Sequence, residues 1–194
     1  MSDVQLKRRP VAKTGMLIRK PAADVFAAFI DPAITTKFWF TKSSGALEVG
    51  KATTWEWEMY GASTSVMPKA IEPHKRIVIE WDGYTGRTTV EWKFASLGPR
   101  ETFVSVAESG WTGTGDELIK HVASSTEGFA WTLAGLKAWL EHKLQLNAVA
   151  DRFPNGPQDP YPEQGVDSIR ATLLRHAIRF RRAHRQDTDR SRAP

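Results

Sequence analysis

The sequence predicts an α+β fold. A curved antiparallel sheet of six to seven strands wraps around one long C-terminal helix, with two short helices after the first strand. Three observations carry this reading. From Gly45 to Glu108, apolar residues rich in Trp alternate with polar ones, the period of strands with one dry face. A Gly110-Trp111 turn then breaks the alternation, and from near Thr114 towards Leu146 the apolar residues recur at helical spacing. A single long helix placed after such strands has to bury its stripe on their sheet.

The elements follow in order. Residues 13–19 (KTGMLIR) read as the first strand. Pro21 opens a helix where its missing N–H costs nothing. Val25, Phe26 and Phe29 give that helix an apolar face, and Asp31-Pro32 stops it. A second short helix, 33–40, ends in Phe38, Trp39 and Phe40. Thr53, Trp55, Trp57 and Met59 share one face of a strand that turns at Gly61-Ala62. Residues 63–71 return, and Pro68 within them requires an edge strand or a bulge. Ile77, Ile79 and Trp81, then Val90, Trp92 and Phe94, then Thr102, Val104 and Val106 mark three further dry faces separated by short turns, an antiparallel meander.

On the long helix, Leu118, Val122, Phe129, Leu133, Leu136 and Leu140 form one stripe. Gly128 and Gly135 interrupt it, each weakening a helix by roughly 1 kcal/mol relative to Ala. Such a residue implies close approach by another backbone or relief of a bend. Residues 153–164 carry four Pro and one Gly and read as part of a linker. The expected organisation is an N-terminal arm (1–12), one domain (13–150), a Pro-rich linker (151–165), a basic amphipathic helix (166–184) and a disordered tail (185–194).

Composition narrows the function classes. There is no Cys, which excludes disulfides, thiolate metal sites and Cys nucleophiles. No apolar run approaches the roughly 20 residues of a membrane span, and the first ten residues lack a secretory apolar segment. A cytoplasmic protein without a membrane span is expected. Residues 155–194 hold eight Arg and no Lys against five acids, while residues 1–154 hold 19 basic and 17 acidic groups. The positive charge therefore describes a tail and not a nucleic-acid-binding face on the core. The five His show no metal-ligand or triad spacing, so no metal, no cofactor and no catalytic constellation is assigned.

The order of strand, two helices, six strands and long helix resembles the helix-grip architecture of the SRPBCC (START-like, Bet v-like) superfamily, and within it the domain shared with Aha-type activators of a heat-shock chaperone ATPase. The residues that carry the resemblance are 21–26 (PAADVF), Lys37-Phe38-Trp39, 71–77 (IEPHKRI), Trp81, 108–111 (ESGW), and 128–131 (GFAW) with Leu133, Leu136, Trp139, Leu140 and Glu141. It covers about residues 10–146 and implies the fold more than an activity.

Each candidate site residue has a structural and a functional reading. Trp55, Trp57, Trp81 and Trp92 fill the core or line a binding cleft, since in this fold the concave face serves as both. Trp39 is the better pocket residue, because its segment covers the cavity mouth. Ser125, Thr126 and Thr132 interrupt the helix stripe and either face a ligand or bond their own preceding turn. Glu108 shares the inward parity of Val104 and Val106, which would make it an acid or anchor in the cavity. A register change at the strand end would instead place it in solvent, and the position favours that slightly. Gly110, Gly113 and Gly115 fit neither a P-loop nor a dinucleotide fingerprint and read as a hinge. Trp131 and Trp139 point away from the stripe and need a cover, either the 166–180 helix of the same chain or a second subunit in a homodimer.

The function expected is binding of a small hydrophobic or amphipathic molecule in a cavity between sheet and long helix. The expected ligand-binding residues are Phe29, Trp39, Trp55, Trp57, Trp81, Trp92, Glu108, Ser125, Phe129, Thr132, Leu133 and Leu136. Two alternatives stand beside it: a cyclase- or hydrolase-type enzyme using the same cavity, and a chaperone-associated or regulatory interaction module, which the resemblance implies.

Overall fold

The computed structural model describes Leu6, residues 8–83 and residues 86–152. The linker, basic helix and tail expected beyond Arg152 lie outside the described residues. Strand β1 (Ala12–Ile18) leads into helices α1 (Ala22–Ile30) and α2 (Pro32–Thr35). Six strands follow: β2 (Lys42–Ser43), β3 (Thr53–Trp57), β4 (Ala62–Glu72), β5 (Arg76–Gly83), β6 (Gly86–Gly98) and β7 (Glu101–Ser109). The chain then enters the long helix α3 (Gly115–His142) and a short helix α4 (Ala148–Arg152). The seven strands form one antiparallel sheet in the order β1-β7-β6-β5-β4-β3-β2, a meander closed at one edge by the first strand. The α+β helix-grip architecture expected from the sequence is the one observed.

Local chemistry explains the departures from the expected elements. The second helix stops at Thr35, short of Phe40, and the chain continues as tight turns in which Phe38 N–H and Trp39 N–H both reach Thr35 O. The Thr35 hydroxyl bonds Ala28 O at 2.6 Å and Asp31 O at 2.9 Å, tying α2 to α1. Strand β3 ends at Trp57, because residues 58–60 wind into a single tight turn closed by left-handed Gly61 (φ 58°), and this leaves Met59 exposed. Pro68 takes the bulge alternative: β4 is paired on both sides, and its register to β5 shifts between Pro68 and Ala70. Helix α3 ends at His142, earlier than the run towards Leu146. Lys143 adopts the left-handed conformation, and Lys143 N–H and Leu144 N–H return to Trp139 O and Ala138 O.

The core lies between the concave face of the sheet and the stripe of α3, closed by α1 and the segment after α2. Ile18, Val25, Ile79, Val90, Val104, Leu133 and Leu136 are fully or almost fully buried there. Each such side chain contributes about 1.5–3 kcal/mol through burial. Gly135 sits where the turn after α2 crosses the helix. A Cβ on it would lie 2.9 Å from Phe38 O and 3.1 Å from Phe38 Cβ. Close backbone approach is thus the reason for Gly135, whereas nothing lies within 4 Å of a Cβ built on Gly128. Among the described residues no helix is long and apolar enough to cross a membrane.

A candidate binding site around Glu108

Strand β7 pairs without interruption with β1 and β6 along its last residues, with Glu108 set between Ala12 and Val90. The change of register that would have turned Glu108 outward does not occur. The preference for solvent is therefore overturned: Glu108 is 1% exposed, on the inward face. The pairing of β6 with β7 does shift, but at the opposite end, between Ser96 and Gly98.

Three donors converge on this carboxyl group. Oε1 accepts the Trp81 indole N–H at 2.8 Å and the Thr88 hydroxyl at 2.5 Å, and Oε2 accepts the Ser125 hydroxyl from α3. No ion pair to Glu108 forms among the described residues. Burial pushes its pKa upward, and the bonds from Ser125, Thr88 and Trp81 oppose the rise without cancelling it. A carboxyl group of this kind can hold a proton at higher pH than an ordinary one, or anchor a polar group brought into the interior.

Around this group the interior is aromatic. The Trp39 ring is central, with ring-centroid distances of 4.9 Å to Trp55, 5.7 Å to Trp92, 6.1 Å to Trp81, 6.3 Å to Phe129 and 6.5 Å to Phe29. Trp81 and Phe129 lie nearly parallel (19°) at 6.0 Å, joining the sheet to the helix. Trp57 is farther out, edge-on to Phe40 at 6.2 Å and only partly buried. Among the described residues, two buried side-chain polar atoms have no hydrogen-bond partner: Trp92 Nε1 and Thr64 Oγ1. Leaving such a group unsatisfied costs about 1–3 kcal/mol.

The sequence-predicted residues thus divide. Phe29, Trp39, Trp55, Trp81, Trp92 and Phe129 form one ring cluster, with Leu133 and Leu136 packed in the same core. Glu108 and Ser125 are joined to it through Trp81. Thr132 is buried, but its hydroxyl bonds Gly128 O at 3.0 Å, as Thr126 bonds Val122 O, so both spend their hydroxyls on their own helix. Sequence reasoning missed Thr88. Its signal was legible, since Thr88 shares the inward parity of Val90 and Trp92, and a polar residue in a dry row calls for a partner.

The neighbourhood of the site is held at both ends. Trp111 is 1% exposed in a small second core with Ala12 and Leu118, and its indole N–H donates to Glu108 O at 3.1 Å. The loop expected as a hinge, with Gly110, Gly113 and Gly115 all at positive φ, is thereby pinned at its centre. A surface cleft of about 80 Å³ is lined by Phe38, Trp39, Met59, Gly135, Asn147 and Val149, so Trp39 borders both this cleft and the ring cluster. Trp131 is covered in part by the Arg152 guanidinium, 5.7 Å from its ring centre, and Trp139 by the Lys37 and Lys143 ammonium groups. The proposed cover from residues 166–180 lies outside the described residues. Among the described residues no group of three potential ligands could hold a metal ion.

A family model described as "Activator of Hsp90 ATPase homolog 1-like protein" matches residues 19–141, a span that includes Trp39, Trp81, Thr88, Glu108 and Ser125. Among solved structures, that of a Staphylococcus saprophyticus protein is similar at 28% identity with a TM-score of 0.62, covering 71% of this chain and 96% of the other. The Aha1 dimer from Colwellia psychrerythraea is similar at 22% identity and a TM-score of 0.57, over 69% of this chain and 97% of that one. A Mesorhizobium loti protein is similar at 16% identity and a TM-score of 0.61, over 70% and 99%. The last two likenesses concern the fold alone. No curated protein matches the sequence.

Proposed function

This chain belongs to the Activator of Hsp90 ATPase homolog 1-like family, and on that footing we propose that it binds a small hydrophobic or amphipathic molecule between the sheet and α3, in the place taken here by the Trp39 ring. The observation that supports this most is a buried carboxyl group with no cationic partner among the described residues, inside an aromatic interior. A core built only for stability gains nothing from such a group, and departures of this kind concentrate at functional sites. Trp39 is the ring to be displaced. It sits on irregular backbone between α2 and β2, whereas Trp55, Trp81, Trp92 and Phe129 are carried by strands and by α3. The cleft beside Trp39 offers the route inward.

The same proposal includes a homodimer through Trp131, Trp139 and residues 166–180. The solution structure of the related Colwellia psychrerythraea protein is that of a dimer. Native mass spectrometry of protein purified gently from its own source reads both claims. The expected spectrum is a dimer carrying a small-molecule adduct that is released on denaturation. A bare polypeptide mass would speak against ligand binding and for the chaperone-associated function named in the family description.

A further inference from the structure

Trp92 projects from the middle of β6 and is 1% exposed, yet its indole N–H has no acceptor. Its ring meets Phe29, Trp39 and Phe129 at centroid distances of 5.6, 5.7 and 6.2 Å, so this donor belongs to the ring cluster itself. Partly buried Trp81 donates its N–H to the Glu108 carboxyl group, and buried Trp111 donates to the Glu108 backbone carbonyl. An unmet donor in a dry interior is a standing cost that an incoming acceptor removes.

The second observation is electrostatic. Glu108 is the only ionisable side chain among the buried residues described, and its neighbours supply hydrogen-bond donors but no positive charge. Its three bonds engage both oxygens and take three of about four acceptor sites. An anion brought into the same low-dielectric interior would find no cation among the described residues to compensate its lost hydration, and the ionised form of Glu108 would add repulsion.

Resting on the binding reading above, we infer that the site selects an uncharged planar aromatic molecule bearing a carbonyl or similar acceptor, which takes the Trp92 N–H, and that Glu108 excludes the anionic counterpart. The selectivity comes from one unmet donor, on a ring 5.7 Å from Trp39, and one unpaired acid, bonded to Trp81 whose ring lies 6.1 Å from Trp39.

Calorimetric titration of the full chain with two ligands of matched shape, 2-acetylnaphthalene and 2-naphthoate, tests this at neutral pH, with 2-ethylnaphthalene as the ligand lacking an acceptor. The ketone should bind at least about tenfold more tightly than the carboxylate, the scale of about 1.4 kcal/mol for one hydrogen bond or one unpaired charge. Trp92→Phe should weaken the ketone about fivefold or more beyond any change in 2-ethylnaphthalene, which reads the loss of ring surface common to both ligands. Glu108→Gln should narrow the gap between ketone and carboxylate. Equal or tighter binding of the carboxylate, or an equal loss of the ketone and 2-ethylnaphthalene in Trp92→Phe, would overturn the inference while leaving the binding reading intact. Absence of binding by all three ligands would overturn both.

Discussion

Glu108 shows how one side chain acquires a role from its surroundings. Its pKa is raised in the folded state by burial, so its contribution to stability is fully present below the unfolded carboxyl pKa and is lost as pH rises through the folded value. Glu108→Gln removes that titration. The variant should therefore gain stability relative to wild type as pH is raised from 4 to 7 in urea denaturation experiments, and a pH-independent difference would contradict the assignment. Glu108→Ala should instead cost about 2–4 kcal/mol, because it leaves the Trp81 N–H and the Thr88 and Ser125 hydroxyls without their acceptor. The parity of Val104 and Val106 pointed inward for Glu108, but a sequence does not reveal whether pairing persists to a strand's last residues. Pairing to β1 settles that, and β1 lies 90 residues or more away along the chain (Ala12 opposite Glu108).

At the scale of elements, the two glycines of α3 separate local from tertiary causes. Gly128→Ala meets open space and should stabilise the protein by about 0.5–1 kcal/mol through helix propensity. Gly135→Ala drives a methyl group into Phe38 O and should cost about 1–3 kcal/mol despite the same propensity gain. Equal midpoints for the two variants in chemical denaturation would contradict the packing described. Propensity was legible for both positions, but the Phe38 backbone that distinguishes them comes from a turn about a hundred residues earlier. The limits of the helices follow the same logic. The length of α3 is set by left-handed Lys143, and α2 is shortened by the turns that bring Trp39 over the core, neither of which periodicity records. Periodicity did disclose the alternation of β5, β6 and β7 and the Leu stripe, since these express burial of whole faces.

At the scale of the whole molecule, the sheet and α3 enclose an interior filled by aromatic rings with Glu108 buried beside them, and the proposed ligand enters where Trp39 lies. Family membership and the helix-grip fold fix the scaffold, while the ring cluster and its two unusual polar groups give it a specific chemistry. The eight Trp residues supply a probe at each relevant place. The most direct test follows the indole N–H resonances of ¹⁵N-labelled protein during titration with 2-acetylnaphthalene, each assigned by a Trp→Phe variant. Binding at the Trp39 position predicts that the Trp92, Trp39 and Trp81 resonances move with a common saturation curve, Trp92 towards the hydrogen-bonded range, while Trp111, already bonded to Glu108 O, stays in place. Shifts confined to Trp131 and Trp139, or none at all, would contradict it.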